Sequence, residues 1–258
     1  MNYNFHTHTY HCHHASGTPE EYVLRAIECG ITEMGFSDHF PFDFGDGTVN
    51  HSRVSVCDVP TYIKEISDLK EKYADKITIH LGFEMEYYTE LFDEMKKKAL
   101  EYGAEYLLLG EHYARPESDP TSPHSYIPTE EEAPLAFYTD RVIEGMKTGA
   151  FTYVAHPDML NFKGDTAIYR KQARRIAEAS LSLGIPLEIN FLGIRDNRHY
   201  PNLEFWKVVG EVGAPVTFGC DAHTVLSAFD EDSLQVAKKM VSDLKLNYIG
   251  KPKLRKLL

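Results

Sequence analysis

The feature that most constrains this chain is an alternation of short apolar strands with amphipathic helices, running from end to end without a change of composition. The spacing predicts strands at 4–8, 33–37, 77–86, 106–109, 151–155, 186–190 and 215–219. Between them it predicts helices near 19–29, 62–73, 90–102, 135–148, 167–183, 203–212 and 232–243. The first helix opens on Thr18-Pro19-Glu20-Glu21, a capping box with proline at the first helical position, and Gly30 fits its stop. Residues 40–60 and 113–130 read as long loops, a polar loop follows Asn190, and a basic tail runs from Lys251 to Lys256. Strands that alternate with helices imply a parallel sheet, and about seven units suggest a closed α/β barrel. Periodicity alone does not separate that barrel from an open doubly wound sheet, but no glycine-rich phosphate loop follows the first strand. The expectation is one barrel domain over residues 1–258.

The strand ends carry the chemistry. The run His6-Thr7-His8-Thr9-Tyr10-His11-Cys12-His13-His14 cannot be an apolar core segment, because each buried imidazole needs a polar partner. An expression tag would be unbroken, whereas this run alternates with Thr, Tyr and Cys and leads into a helix signal. Residues i and i+2 of a strand face the same way, so His6 and His8 would aim two nitrogens at one point, half of a metal site. Asp221 and His223 repeat that spacing at the end of another strand. His39, Glu84, His112 and His156 end four more. In a parallel barrel all these ends converge on one face, where barrel active sites lie. A lone histidine at a strand end is usually a hydrogen-bonded bystander; this set on one rim points to a metal centre. Imidazole with carboxylate suits zinc, iron or manganese, and the absence of clustered thiols argues against a structural zinc cage.

Composition narrows the ligand. The chain has 27 basic and 39 acidic residues, a net charge of −12, which repels a polyphosphate backbone, so no nucleic acid partner is expected. No apolar stretch approaches the roughly 18 residues of a membrane span. The four cysteines, Cys12, Cys29, Cys57 and Cys220, show no CxxC pairing, and the N-terminus has no signal-peptide pattern, so a reducing cytoplasm is expected.

At this point the chain resembles the polymerase and histidinol phosphatase (PHP) family over nearly its whole length. The motifs are His6-Thr7-His8, His14, Ser37-Asp38-His39, Gly82-Phe83-Glu84, Gly110-Glu111-His112, Ala155-His156-Pro157 and Gly219-Cys220-Asp221-Ala222-His223. The resemblance implies a distorted (β/α)7 barrel with two or three divalent transition-metal ions, zinc, iron or manganese, at the C-terminal ends of its strands. It implies that His6, His8, Glu84 and Asp221 hold one ion, that Glu84 bridges to a second held by His112 and His156, and that His14, His39 and His223 hold the third. The family's spacing selects His14, while local geometry alone leaves His13 open. His11, His51, His80, His124 and His199 are left as solvated or structural. Cys12 and Cys220 are read as packing, Asp38 as an acceptor that could orient a ligand imidazole, and Glu86 as structural.

Clustered metals supply hydroxide near neutral pH and neutralise phosphoryl oxygens, and the sequence offers no phosphoenzyme nucleophile motif, so direct attack by water is preferred. Glu84, Asp221 and His223 are the catalytic candidates. Arg195, just past a strand end, is the leading phosphate-binding residue, with Lys163 and Arg115 in other rim loops. Glu111, Asp158 and Glu188 are candidates for holding a substrate amine. Chain size and the segment Gly193-Ile194-Arg195 followed by Tyr200-Pro201 resemble the family's stand-alone histidinol phosphatases, which implies a small phosphomonoester, histidinol phosphate, as substrate. Two alternatives are a nucleotide phosphatase or phosphodiesterase and a catalytically silent, metal-stabilised assembly domain.

Overall fold

A computed structural model describes residues 1–45, 47, 51–113, 115–116, 119 and 121–257. Eight strands, β1 (Tyr3–Asn4), β2 (Glu33–Phe36), β3 (Thr78–Met85), β4 (Tyr106–Leu109), β5 (Phe151–Val154), β6 (Leu187–Asn190), β7 (Pro215–Gly219) and β8 (Asn247–Tyr248), form one sheet in sequence order. Every neighbouring pair is parallel. Among the described residues eight α-helices accompany them: α1 (Pro19–Glu28), α2 (Val59–Lys72), α3 (Phe92–Glu101), α4 (Glu132–Lys147), α5 (Thr166–Leu183), α6 (Phe191–Arg195), α7 (Leu203–Val212) and α8 (Glu231–Leu244).

The helix ends obey their local chemistry. Thr18 and Glu21 form the reciprocal capping box of α1, and Asp165 and Asn202 accept from the first free amides of α5 and α7. Gly184 and Gly213, in left-handed conformation, end those two helices. α6 occupies a stretch where a polar loop was expected. Asn190 caps it by accepting from the Gly193 amide, and at five residues it is too short to announce itself by periodicity.

The sheet curls until β1 meets β7. The amide of His8 donates to the Ala222 carbonyl at 2.9 Å and that of Ala222 to the His6 carbonyl at 3.2 Å, so the two chains bridge just past their regular strands. Seven strands therefore close at the C-terminal end, as the distorted seven-unit barrel requires. The unforeseen β8 adds two residues at the opposite end, where the Tyr3 and Tyr248 hydroxyls lie 3.2 Å apart. Inside the barrel, Tyr3, Phe5, Tyr106, Leu108 and Tyr153 make a small core of their own. Tyr106 lies across it, its hydroxyl donating to the Phe5 carbonyl at 2.8 Å. Gly35 and Gly82 leave the space for its ring, since a Cβ at either would stand under 2.4 Å from Tyr106. A larger core fills the layer between strands and helices. The basic tail passes beneath the barrel, where the Arg255 amide donates to Thr152 and Leu254 packs on the inner core. With aromatic rings filling its interior among the described residues, the barrel presents its cavity at the strand ends where the histidines gather.

Candidate metal centre

The site is built around Glu84, the penultimate residue of β3, whose side chain is buried. Its Oε2 lies 3.3 Å from His6 Nε2, His8 Nε2 and His39 Nδ1 alike. Its Oε1 lies 2.8 Å from His156 Nε2 and 3.5 Å from His112 Nε2. Asp221 Oδ1 faces the same centre from β7, 3.5 Å from His6 Nε2, 3.4 Å from His8 Nε2 and 3.2 Å from His223 Nδ1. His14 completes the group, with its Nε2 3.0 Å from that of His223. The strand-end logic explains the convergence. His6 and His8 flank the Thr7–Ala222 bridge, and the extended backbone there turns both rings to one side. Gly110 backs directly on Glu84, and a Cβ there would fall 2.0 Å from Oε1.

Two of the converging side chains sit on strained backbone. His156 (φ 30°) and Asp221 (φ 45°) sit in the left-handed region, which costs a residue with a Cβ on the order of 1–3 kcal/mol and is concentrated at functional sites. Burial raises the carboxyl pKa values of Glu84 and Asp221, but the surrounding imidazoles more than offset it and hold both well below the usual carboxylate range. Burial, with the neighbouring rings, drives His39 well below the ordinary imidazole value and His14 down to about 4.

This donor set fits a divalent transition metal. Four clusters from the predicted set, His6/His8/Asp221, His6/Glu84/His156, His39/Glu84/His112 and His8/His39/His223, place one donor atom per residue within 4.8 Å of one another. Among the described residues, Glu84 Oε1 and Oε2, His6 Nε2 and His8 Nε2 are buried without a well-formed hydrogen bond. Orphaned acceptors of this kind are rare in proteins unless an ion takes them up.

Around these side chains sits a set of acceptors that sequence reasoning placed differently. Glu188 was expected on the rim, holding an amine; instead it is fully buried, with Oε1 2.8 Å from His6 Nδ1 and Oε2 accepting from the His156 amide at 3.0 Å and from Asn190 Nδ2 at 2.8 Å. Asn190 Nδ2 also reaches Asp221 Oδ2 at 3.0 Å. The alternation of β6, with Glu188 and Asn190 on one face, is the signal that could have found this pair. Glu86 holds His112 Nδ1 at 2.9 Å and Arg53 Nη2 at 2.6 Å, so it orients a ring as well as pairing a cation. Asp38 bonds not to an imidazole but to the amide and hydroxyl of Thr9, at 2.8 and 2.9 Å, which fixes the turn carrying the histidine run.

Of the other expected residues, Arg195 does line the cavity above the centre, tied to Asp230 at 3.1 Å and to the Asp221 carbonyl at 3.2 Å. Arg115 and Lys163 do not line it. Arg115 is exposed and pairs with Asp119, and Lys163 is exposed on the segment after β5. Glu111 and Asp158 are buried and also stand outside the cavity, accepting from the Tyr87 amide and from Trp206 Nε1 with the Asn202 amide respectively. His11 is held by Glu65 and His13 by Ser55, both away from the centre, and only His14 of the three reaches it. His80 is clasped between Glu33 and Glu105, as a structural residue. The cavity, of about 460 Å³, is lined in addition by Tyr200, which the sequence resemblance marked beside Pro201, and by Arg53, Arg198, Tyr113 and Tyr126, which no sequence pattern marked. Among the described residues no helix is long and apolar enough to cross a membrane.

Comparison with known proteins bears on this geometry. The model of the PHP domain matches residues 4–191. A Deinococcus radiodurans protein named "Probable histidinol-phosphatase" is 27% identical over 226 residues, covering 84% of this chain and 85% of its own length. A Schizosaccharomyces pombe protein of the same name is 24% identical over 236 residues, 82% of this chain and 77% of its own length. Among solved structures, the histidinol phosphate phosphatase of Lactococcus lactis, complexed with zinc, L-histidinol and phosphate, superposes with a TM-score of 0.70 at 18% identity. That match covers 96% of this chain and 95% of the other, so the two share a fold.

Proposed function

This chain belongs to the PHP domain family, and from that premise we propose that it is a metal-dependent phosphatase that hydrolyses L-histidinol phosphate to L-histidinol and phosphate. The observation that carries the reading is the ring of seven imidazoles and two carboxylates, drawn from six strand ends and one loop, with Glu84 at its middle. The names of the two curated relatives favour the same substrate. His6, His8 and Asp221 would hold one divalent ion, His112 and His156 a second, and His14, His39 and His223 a third, with Glu84 shared between the first two. Zinc, iron and manganese all suit these donors. When bound, such ions lower the pKa of water toward neutrality and neutralise charge on a phosphoryl oxygen.

The chain's own residues supply the rest. Glu188 and Glu86 accept from the Nδ1–H of His6 and His112, which leaves the Nε2 lone pairs of both rings pointing inward. Arg195 and Arg198 both line the cavity, where their guanidinium groups would fix the phosphate dianion; each is braced by a carboxylate, Asp230 for the first and Asp196 for the second. The aromatic rings of the inner core lie beneath the cavity, which is lined by residues at the strand ends. The leaving alcohol would therefore extend toward the mouth, past Tyr113 and Tyr126. The whole chain acts as one domain in this reading, and a cytoplasmic setting suits its unpaired thiols.

The test is a panel of phosphate esters with metal content measured alongside. Histidinol phosphate should be preferred over nucleoside monophosphates by at least ~10²-fold in kcat/KM, about 2.7 kcal/mol of transition-state discrimination. Equal turnover of nucleotides would overturn the substrate assignment, and no turnover of any monoester by metal-loaded protein would overturn the activity.

A further inference from the structure

An imidazole that binds a metal through one nitrogen keeps a proton on the other, and in a buried site that proton needs an acceptor. Three rings of the centre have one. His6 Nδ1 lies 2.8 Å from Glu188, His112 Nδ1 2.9 Å from Glu86 and His14 Nδ1 2.8 Å from the Cys12 carbonyl. His8 departs from that pattern. Its Nε2 is turned to Glu84 and Asp221, and among the described residues its Nδ1 is buried without a well-formed hydrogen bond. A His8 ring nitrogen, Cys12 Sγ and an Asp38 carboxylate oxygen nevertheless lie within 4.8 Å of one another. With Nε2 committed to the centre, Nδ1 is the nitrogen that these two side chains can serve.

The thiol is the better placed of the two. Both Asp38 oxygens already accept from Thr9, Oδ1 from its amide and Oδ2 from its hydroxyl. Cys12 is fully buried at the end of a single 3-10 turn, Tyr10–Cys12, and its amide and thiol donate to the Thr9 carbonyl at 3.2 and 3.1 Å. With the S–H directed to that carbonyl, the sulfur presents only lone pairs to its other neighbours. The turn is fixed at both ends. Asp38 grips Thr9 at its start, and His13, in left-handed conformation, closes it with an amide bond to the Tyr10 carbonyl at 3.0 Å.

We propose that Cys12 is a positioning residue of the metal centre and not mere packing: its sulfur accepts from His8 Nδ1–H as its carbonyl accepts from His14 Nδ1–H. One residue of the histidine run thereby sets the rings of two ligands assigned to different ions. Sulfur is a weaker acceptor than a carboxylate, so His8 is held less firmly than His6 or His112. The inference rests on the metal centre of the proposed phosphatase but on no turnover. Cys12→Ala removes the sulfur and keeps the carbonyl, whereas Cys12→Ser puts another lone-pair atom in its place.

Zinc affinity is measured by chelator competition on wild type, Cys12→Ala and Cys12→Ser, with circular dichroism to confirm the fold. Cys12→Ala should bind zinc about tenfold more weakly, the lower end of what a partner behind a ligand contributes, and Cys12→Ser should stay within about threefold of wild type. In cobalt-loaded protein the N–H protons of the ligand rings give paramagnetically shifted signals that vanish in heavy water. One of them should move in both variants, because its acceptor changes, while that of His6, held by Glu188, stays in place. This readout decides the matter on Cys12→Ser alone if Cys12→Ala does not fold. Unchanged zinc affinity in Cys12→Ala, equal losses in the two variants, or no moved signal would overturn the sulfur's role. Such a result beside normal hydrolysis of histidinol phosphate removes only this inference. A tenfold loss restored by serine, in a protein that hydrolyses no monoester, upholds it and sinks the phosphatase reading.

Discussion

Glu188→Gln is the sharpest perturbation available, because it changes one oxygen to nitrogen and leaves the shape alone. Three donors already point at this carboxylate: His6 Nδ1 on Oε1, and the His156 amide and Asn190 Nδ2 on Oε2. A glutamine amide has one acceptor and one donor end, so it must fail one side. With its NH2 toward His6, that ring can accept only by moving its proton to Nε2, which removes the lone pair that faces Glu84 and Asp221. With its NH2 toward the other side, two buried donors lose their acceptor. Nor can the side chain swing away: Glu188 is fully buried and so close to Gly219 that a Cβ there would lie 1.7 Å from Oε1. Losing a charge-assisted bond and stranding a buried donor costs about 2–4 kcal/mol. Loss of the partner that orients a ligand imidazole weakens metal binding by roughly 10–100-fold. Chelator competition on the purified variant reads the second quantity, and denaturant melts of metal-loaded and metal-stripped protein read the first. Metal affinity within threefold of wild type, together with stability within about 0.5 kcal/mol, would refute the argument that Glu188 sets the His6 tautomer.

Three other outcomes are expected. Glu84→Gln should lower kcat on the order of 10²-fold or more with the fold retained, checked by steady-state kinetics beside circular dichroism. His14→Ala should reduce bound metal per chain, whereas His11→Ala, which removes a bond to Glu65 and ring contacts with Tyr10 and Tyr62, should leave it unchanged; elemental analysis of both variants decides between them. Glu105 accepts from the Leu81 amide at 3.0 Å and sits beside His80 and Lys70; burial raises its pKa, but these partners outweigh that and bring it from 4.5 to about 2. Such a depressed carboxyl stabilises the fold above pH 4.5, and that contribution is lost as pH falls toward 2. The shift alone corresponds to about 3 kcal/mol, reduced to about 1–2 kcal/mol because roughly a third of the side chain is open to solvent. Glu105→Gln should therefore be less stable by that amount at pH 7, with the difference closing as melts are repeated toward pH 2.

How much of this could be read from the sequence follows from what each feature depends on. The strand ends were legible because a parallel barrel sends all of them to one face, so His39, Glu84, His112, His156 and Asp221 needed only their strands to be located. Even the shortness of β1 did no harm, since His6 and His8 keep the two-residue alternation across the Thr7 bridge. Features that depend on the course of a loop were not legible. Arg53 reaches the cavity from an aperiodic stretch, and Arg115 and Lys163, nearer to their strand ends in sequence than Arg53 is to its own, end outside it. Two residues of β8 and five of α6 are too few to carry a period.

The placement of the acids has a more general cause. A carboxylate near a strand end looks like a partner for a cationic substrate only while the imidazoles of the centre are left without partners of their own. A metal-binding imidazole needs its second nitrogen bonded, and in a buried site a carboxylate is the strongest acceptor for it. Glu188 and Glu86 are committed to His6 and His112, and Glu111 and Asp158 to backbone or indole N–H groups. The same reasoning applies to the cations. Arg53, Arg195 and Arg198 are each held by a carboxylate, Glu86, Asp230 and Asp196 respectively, so they are positioned rather than free. A braced guanidinium still has N–H donors for a phosphate and loses little rotamer freedom on binding it, which a solvated lysine such as Lys163 does not match. The acidic excess of the chain thus reappears at the site as scaffolding, with carboxylates behind the imidazoles and arginines and the donors facing the cavity.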